Sequence, residues 1–168
     1  MTVTIRPATA ADVRAMGRLG AVLVQTHHDF DAARFIAATP QTEHGYASYL
    51  GSQLAKRDIV VLVAEDDGDV LGYTFAGIEG YDYMELRGPA GVLYDIVVDQ
   101  AHRGRGIGQA LLEATLAELK TRGAPQVVLS TAERNESAQR LFARAGFRRT
   151  MIEMTRELES GAGAGQLD

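Results

Sequence analysis

Asp95-Ile96-Val97-Val98-Asp99-Gln100-Ala101-His102-Arg103-Gly104-Arg105-Gly106-Ile107-Gly108-Gln109 is the stretch whose reading decides the fold. It starts as a β-branched apolar run, passes through a glycine-rich turn, and continues into an apolar pattern at helical spacing. Glycines let backbone N–H groups converge where a Cβ would obstruct them. The helix that follows adds about +0.5 of a charge at its N-terminus, so turn and helix together suit a phosphate group. Arg103 and Arg105 reinforce that local positive field.

Spacing removes two families of phosphate ligand. A dinucleotide fingerprint starting at Gly104 requires Gly or Ala where Gln109 stands, and one starting at Gly106 meets Leu111 instead. A P-loop requires Gly-Lys-Ser/Thr, and the turn contains no lysine.

Outward from this stretch, Val92 to Val98 reads as a buried strand and Ile107 to Arg122 as an amphipathic helix closed by Gly123 and Pro125. Val127 to Ser130 reads as a strand, Asn135 to Ala145 as a short helix ended by Gly146, and Phe147 to Leu158 as a last strand or hairpin arm. On the N-terminal side, Val3 to Arg6 reads as a strand, and Thr9 with Asp12 as a capping box opening a helix. Gln25 to Thr42 breaks the helical period and is expected to be irregular, with a short helix over Ala32 to Ala38. Tyr46 to Lys56 fits a helix, and Ile59 to Ala64, Asp66-Asp67-Gly68-Asp69 and Val70 to Ile78 form an antiparallel hairpin. Gly80 to Gly91 is a loop. This order predicts an α/β (α+β) fold, a single domain over 1–159 with a mixed, mostly antiparallel sheet and helices on both faces. The Gly/Ala-rich tail, 160–168, reads as disordered.

Composition narrows the function. The 168 residues carry Lys+Arg 17 against Asp+Glu 22, a net charge of −5, which gives no global field for a nucleic-acid backbone. Cysteine is absent, which excludes disulfides, thiolate metal sites and a covalent acyl-cysteine relay. No His-rich spacing suggests a metal site, and no apolar run reaches the length of a signal peptide core or a membrane span. The expectation is a soluble, cytoplasmic protein without metal, nucleic acid or membrane as a partner.

Arg103-x-x-Gly106-x-Gly108 resembles the R/Q-x-x-G-x-G/A pyrophosphate loop of the GNAT superfamily of N-acetyltransferases, which use acyl-coenzyme A. Tyr94 to Asp99 resembles the family strand ahead of that loop, and Asn135-x-x-Ala138-x-x-Leu141-Phe142-x-x-x-Gly146-Phe147 resembles its C-terminal helix signature. The resemblance implies acetyl-CoA as acyl donor. Backbone groups of Ile96, Val97 and Val98 would pair with the pantetheine arm, and an N–H near a strand bulge would polarise the thioester carbonyl. Amides of Arg103, Gly104, Arg105, Gly106, Ile107, Gly108 and Gln109 would hold the pyrophosphate. Asn135 would bond the pantetheine arm, Phe142 would face core or cofactor, and Arg140 or Arg144 would meet the 3′-phosphate.

The pattern departs from the family at two positions. Phe142 stands where many members carry a tyrosine acid, and Ser130 stands where relatives that acetylate ribosomal-protein N-termini carry a glutamate base. Direct attack by a free amine in a ternary complex still needs little beyond a base, because a thiol is a fair leaving group near its own pKa of about 8.5. Asp95 leads the candidate bases, followed by Tyr94, then Glu79, His27 and His28; His27, Glu79 and Tyr81 are also candidates for holding the acceptor. The acceptor reads as a small-molecule primary amine, with a protein N-terminus or lysine as the alternative substrate and a non-catalytic acyl-CoA sensor as the alternative role. Dimerisation is common in the superfamily, so a homodimer is compatible with the resemblance.

Overall fold

The computed structural model describes residues 2–158 of the chain. The elements run β1 (Thr4–Pro7), α1 (Val13–Phe30), α2 (Thr42–Gln53), β2 (Ile59–Asp66), β3 (Asp69–Glu79), β4 (Ala90–Val98), α3 (Ile107–Thr121), β5 (Val127–Leu129) and α4 (Glu136–Arg144). They build a five-stranded sheet in the order β1-β2-β3-β4-β5. All neighbouring pairs are antiparallel except β4 and β5, which run parallel because α3 carries the chain back between them. The expected mixed, mostly antiparallel sheet is therefore present.

Strand alternation sorts the core into two layers. Val60, Leu62, Ala64, Leu71, Ala76 and Leu93 pack with Leu111, Leu112 and Leu119 of α3 and with Phe142 of α4. Val61, Val63, Tyr73, Phe75 and Val97 point the other way, onto Met16 and Leu19 of α1 and Leu50 of α2. Burying a leucine side chain in either layer contributes about 1.5–3 kcal/mol. Where the sheet meets α3, the Thr74 and Thr115 hydroxyls bond each other at 2.7 Å, and Thr115 also donates to the Leu111 carbonyl at 2.8 Å. Helices α1 and α2 approach closely because Gly20 leaves room for a ring: a Cβ there would stand 2.2 Å from Tyr46. That contact sets where Tyr46 lies.

Three expectations need correction. Helix α1 does not stop near Gln25 but runs to Phe30. Its polar last turns find partners one turn away: Gln25 donates to Asp29 at 2.7 Å and Thr26 to the Val22 carbonyl at 2.7 Å. The short helix expected over Ala32 to Ala38 is absent, because the Asp31 carboxylate accepts from the Ala33 and Arg34 amides and locks a turn instead. The last strand expected from Phe147 to Leu158 does not form. A strand exists only through its ladder, whereas this segment joins no strand: the Phe147 amide donates to the Phe142 carbonyl, Arg149 donates to Gln139 and Arg34 donates to Glu153. The expected tail, 160–168, lies outside the described residues.

Candidate active site

Strand β4 breaks phase at its centre. Phe75 opposes Asp95 but Ala76 opposes Leu93, which makes Tyr94 the extra residue of a β-bulge. Two consecutive side chains consequently share the α1/α2 face. Tyr94 lies against Phe75 with ring centroids 4.8 Å apart, and Asp95 accepts a hydrogen bond from the Tyr73 hydroxyl at 3.0 Å. Parallel pairing to β5 covers Gly91, Val92 and Leu93 and ends at the bulge. Beyond it a cavity of about 270 Å³ opens between the two strands. Tyr94, Asp95 and Ile96 wall it on one side, Leu129, Ser130, Thr131, Asn135 and Phe142 on the other, and Leu23, His27, Phe35, Ile36 and Tyr46 close its end.

Asp95 is the acid of this cavity. Burial pushes its carboxyl above the usual carboxylate range, while the Tyr73 hydrogen bond and the nearby His27 pull in the opposite direction. Tyr46 is pushed up to about 12 by burial and by the charge of Asp95, so it stays a neutral hydroxyl. Tyr73, fully buried, is raised further for the same reasons. His27 places Nδ1 2.9 Å from the Leu23 carbonyl. A carbonyl only accepts, so Nδ1 carries the proton and Nε2 is the ring's second nitrogen. At the rim, the Tyr94 hydroxyl donates to Glu79, and Glu79 is ion-paired with Arg87. Burial and then the Glu79 bond raise the Tyr94 pKa.

At the far end of β4, Asp99 accepts from the Ala101 amide at 3.0 Å and from Arg18 at 3.1 Å, which fixes the start of the turn. Arg103 folds back to donate to the Val98 carbonyl at 3.2 Å. Gly104 and Gly106 have φ of +77° and +81°, and a Cβ on either would meet nothing within 4 Å. Gly106 is the N-cap of α3, so no side chain caps the first amides of that helix. Ile107 buries its side chain in the core at 3% exposure, which anchors this open turn to the α3 layer. Uncapped amides around open space are what a pyrophosphate needs. Asn135 caps α4 by accepting from the Ala138 amide at 3.1 Å through Oδ1, which leaves its N–H groups to donate into the cavity it lines.

The model of the Acetyltransferase (GNAT) family matches residues 24–147, which include the whole of this site apart from Arg18 and Leu23. The chain belongs to the GNAT acetyltransferase family. It is 38% identical over 96 residues to the mycothiol acetyltransferase of Thermobispora bispora, an alignment covering 55% of this chain and 31% of that protein. The chain thus spans about a third of that curated relative's length. A mutant protein of Bacillus halodurans shares the fold with a TM-score of 0.78 at 22% identity, over 93% of this chain and 99% of its own. A GCN5-related N-acetyltransferase of Ralstonia eutropha is 27% identical with a TM-score of 0.69, over 94% and 99% of the two chains. The family is one of acetyltransferases, and the acyl donor it implies is acetyl-CoA.

The structure gathers Tyr94, Asp95, Ile96, His27, Asn135 and Phe142 around one cavity. It does not bring Glu79 or Tyr81 into that lining: Glu79 is held by Arg87, and Tyr81 is 73% exposed and stacked on Tyr83. The partner of Asp95 is the Tyr73 hydroxyl, and Arg87 pairs with Glu79 instead. Val97 turns its side chain into the core at 4% exposure, so any ligand contact there is through its backbone. Gln109 bonds Glu113 at 2.8 Å, Arg140 pairs with Glu136, and Arg144 is exposed on the last turn of α4. Tyr46, Tyr73, Phe35 and Ile36 were not singled out by sequence. The alternation of β3 was the available signal for Tyr73, since it puts Tyr73 and Phe75 on one face. Among the described residues, no group of three or more His, Asp or Glu is placed to hold a metal, and no helix is long and apolar enough to cross a membrane.

Proposed function

We propose that this GNAT member transfers an acetyl group from acetyl-CoA to the primary amine of a small molecule by direct attack in a ternary complex. The single observation that carries the reading is the bulge at Tyr94, which ends β4–β5 pairing and sets a partly buried carboxylate, Asp95, beside the resulting cavity. When bound, acetyl-CoA supplies a thioester-activated acetyl group. The chain supplies the rest: the turn from Arg103 to Gln109 binds the pyrophosphate, the unpaired β4 backbone from Tyr94 onward aligns the arm, and Asn135 donates its amide N–H to it. Asp95 takes the amine proton at Oδ1 or Oδ2, its raised pKa matching it better to an ammonium than an ordinary carboxylate would be. Tyr46, Tyr94 and Phe35 give the amine's side of the cavity an aromatic wall. Phe142 offers no proton to the departing sulfur, and a thiol with a pKa near 8.5 leaves without one.

Two substitutions separate binding from chemistry. Asn135→Asp keeps a capping oxygen but loses the donating amide, and weakens acetyl-CoA binding by about tenfold, read by titration calorimetry. Asp95→Asn leaves that affinity within about twofold and lowers kcat. Intact turnover in Asp95→Asn removes the base assignment. Unchanged acetyl-CoA affinity in Asn135→Asp removes Asn135 from the donor site.

A further inference from the structure

The end of the cavity that faces α1 and α2 is mostly apolar and aromatic around Asp95, its one carboxylate, with the His27 imidazole beside it. Leu23, Phe35, Ile36, Tyr46 and Tyr94 surround Asp95, and neither lysine nor arginine lines the cavity. Arg34, next in sequence to Phe35, is turned away to Glu153 and lies over the Phe35 ring at 4.8 Å. Glu79, the other carboxylate of this side, is neutralised by Arg87 and bonded by the Tyr94 hydroxyl.

This wall discriminates among amines by charge. A second cation on the acceptor finds no second carboxylate in the lining, and an acceptor carboxylate finds no lysine or arginine there while facing Asp95. Either would set an uncompensated charge beside these part-buried apolar side chains, displacing some of its hydration, which disfavours it. An apolar body packs on Phe35, Ile36 and Tyr94 without that cost. We infer that the acceptor is a primary monoamine whose remaining body is apolar or aromatic and carries no second charge. This rests on the acetyl-transfer reading above. The step balances: the ammonium gives one proton to Asp95 and thence to solvent, and the nitrogen lone pair forms the C–N bond as the thioester C–S bond breaks. The nitrogen's next proton then ends on the released sulfur, leaving a neutral amide and a free thiol.

The test is kcat/KM for acetyl-CoA with 2-phenylethylamine, phenylalanine, spermidine and kanamycin, each followed both as released thiol and as acetylated product. Phenylethylamine is expected to exceed each of the others by at least about tenfold, the range a hydrophobic pocket supplies. Val24→Glu, which adds a carboxylate to the same wall, is expected to move the ratio toward spermidine by about tenfold. Equal values across the series, or preference for phenylalanine, spermidine or kanamycin, overturn the inference while leaving acetyl transfer standing. Product from no amine at all overturns the acetyl-transfer reading and this inference with it.

Discussion

Gly106→Ala isolates the phosphate turn from the rest of the site. Gly106 sits at φ +81° as the N-cap of α3, and a Cβ there meets no protein atom within 4 Å. The substitution therefore costs only the left-handed conformation, about 1–2 kcal/mol, which in a domain of this size lowers Tm by about 2–8 °C. Its new methyl group, however, stands in the space where a pyrophosphate would meet the first amides of α3. Losing one such charge-assisted hydrogen bond costs about 1.5–3 kcal/mol, or about 10- to 100-fold in acetyl-CoA affinity. Gly123→Ala provides the control. Gly123 has φ +88° and equally open surroundings, but it follows the C-terminal end of α3 rather than the turn. Both variants are to be melted by circular dichroism and titrated with acetyl-CoA by calorimetry. Equal losses of stability with a loss of affinity confined to Gly106→Ala are expected. Wild-type affinity in Gly106→Ala would refute the reasoning, as would an equal loss in Gly123→Ala.

Asp95 must be ionised to act as a base, so kcat/KM should rise with pH along a limb set above the ordinary carboxylate range. His27, Tyr46 and Tyr73 are the titratable groups facing it. Tyr73→Phe removes a donor that favours the carboxylate, so that limb should move to higher pH; an unmoved limb rejects Asp95 as the titrating group. Asp12 is held by Arg6 at 2.8 Å and by Thr9, and its pKa is lowered from 3.8 to about 2. Its contribution, about 1–2 kcal/mol after allowance for screening at the half-exposed Arg6, is present above the unfolded value and lost as pH falls through the folded one. Denaturant melts of Asp12→Asn should show that deficit at pH 7 and none near pH 2. Thr115→Val strands the buried Thr74 hydroxyl and should cost about 1–3 kcal/mol by urea unfolding, whereas the double change to valine should recover most of it; a double variant worse than the single refutes the pairing.

The glycine turn from Arg103 to Gln109 and the flanking strand and helix were legible because local chemistry alone specifies them. Much of the candidate site was not. Val92 to Val98 reads as a buried strand whose own residues do not place the bulge, which only the resemblance implied, because the phase break arises from pairing with β3. Tyr94 and Asp95 therefore share a face that simple alternation would have divided between them. Tyr73 meets Asp95 across 22 positions, a contact set by strand register rather than by sequence spacing. The histidine-rich end of α1 was misread as a break because Thr26, His27 and His28 are weak helix formers singly, yet their side chains bond carbonyls nearby and the helix continues. Phe147 to Leu158 reads as a last strand or hairpin arm, but a strand requires a partner edge, and β5 offers only the three residues from Val127 to Leu129.

Thiol release from acetyl-CoA in the presence of primary amines, followed with a thiol reagent, tests acetyl transfer most directly. The chain has no cysteine, so every thiol detected comes from coenzyme A. Release equimolar with an acetylated amine, and requiring about 10- to 100-fold more acetyl-CoA in Gly106→Ala, is the expected result. Tight binding of acetyl-CoA without thiol release on any amine would contradict it and make the protein an acyl-CoA sensor.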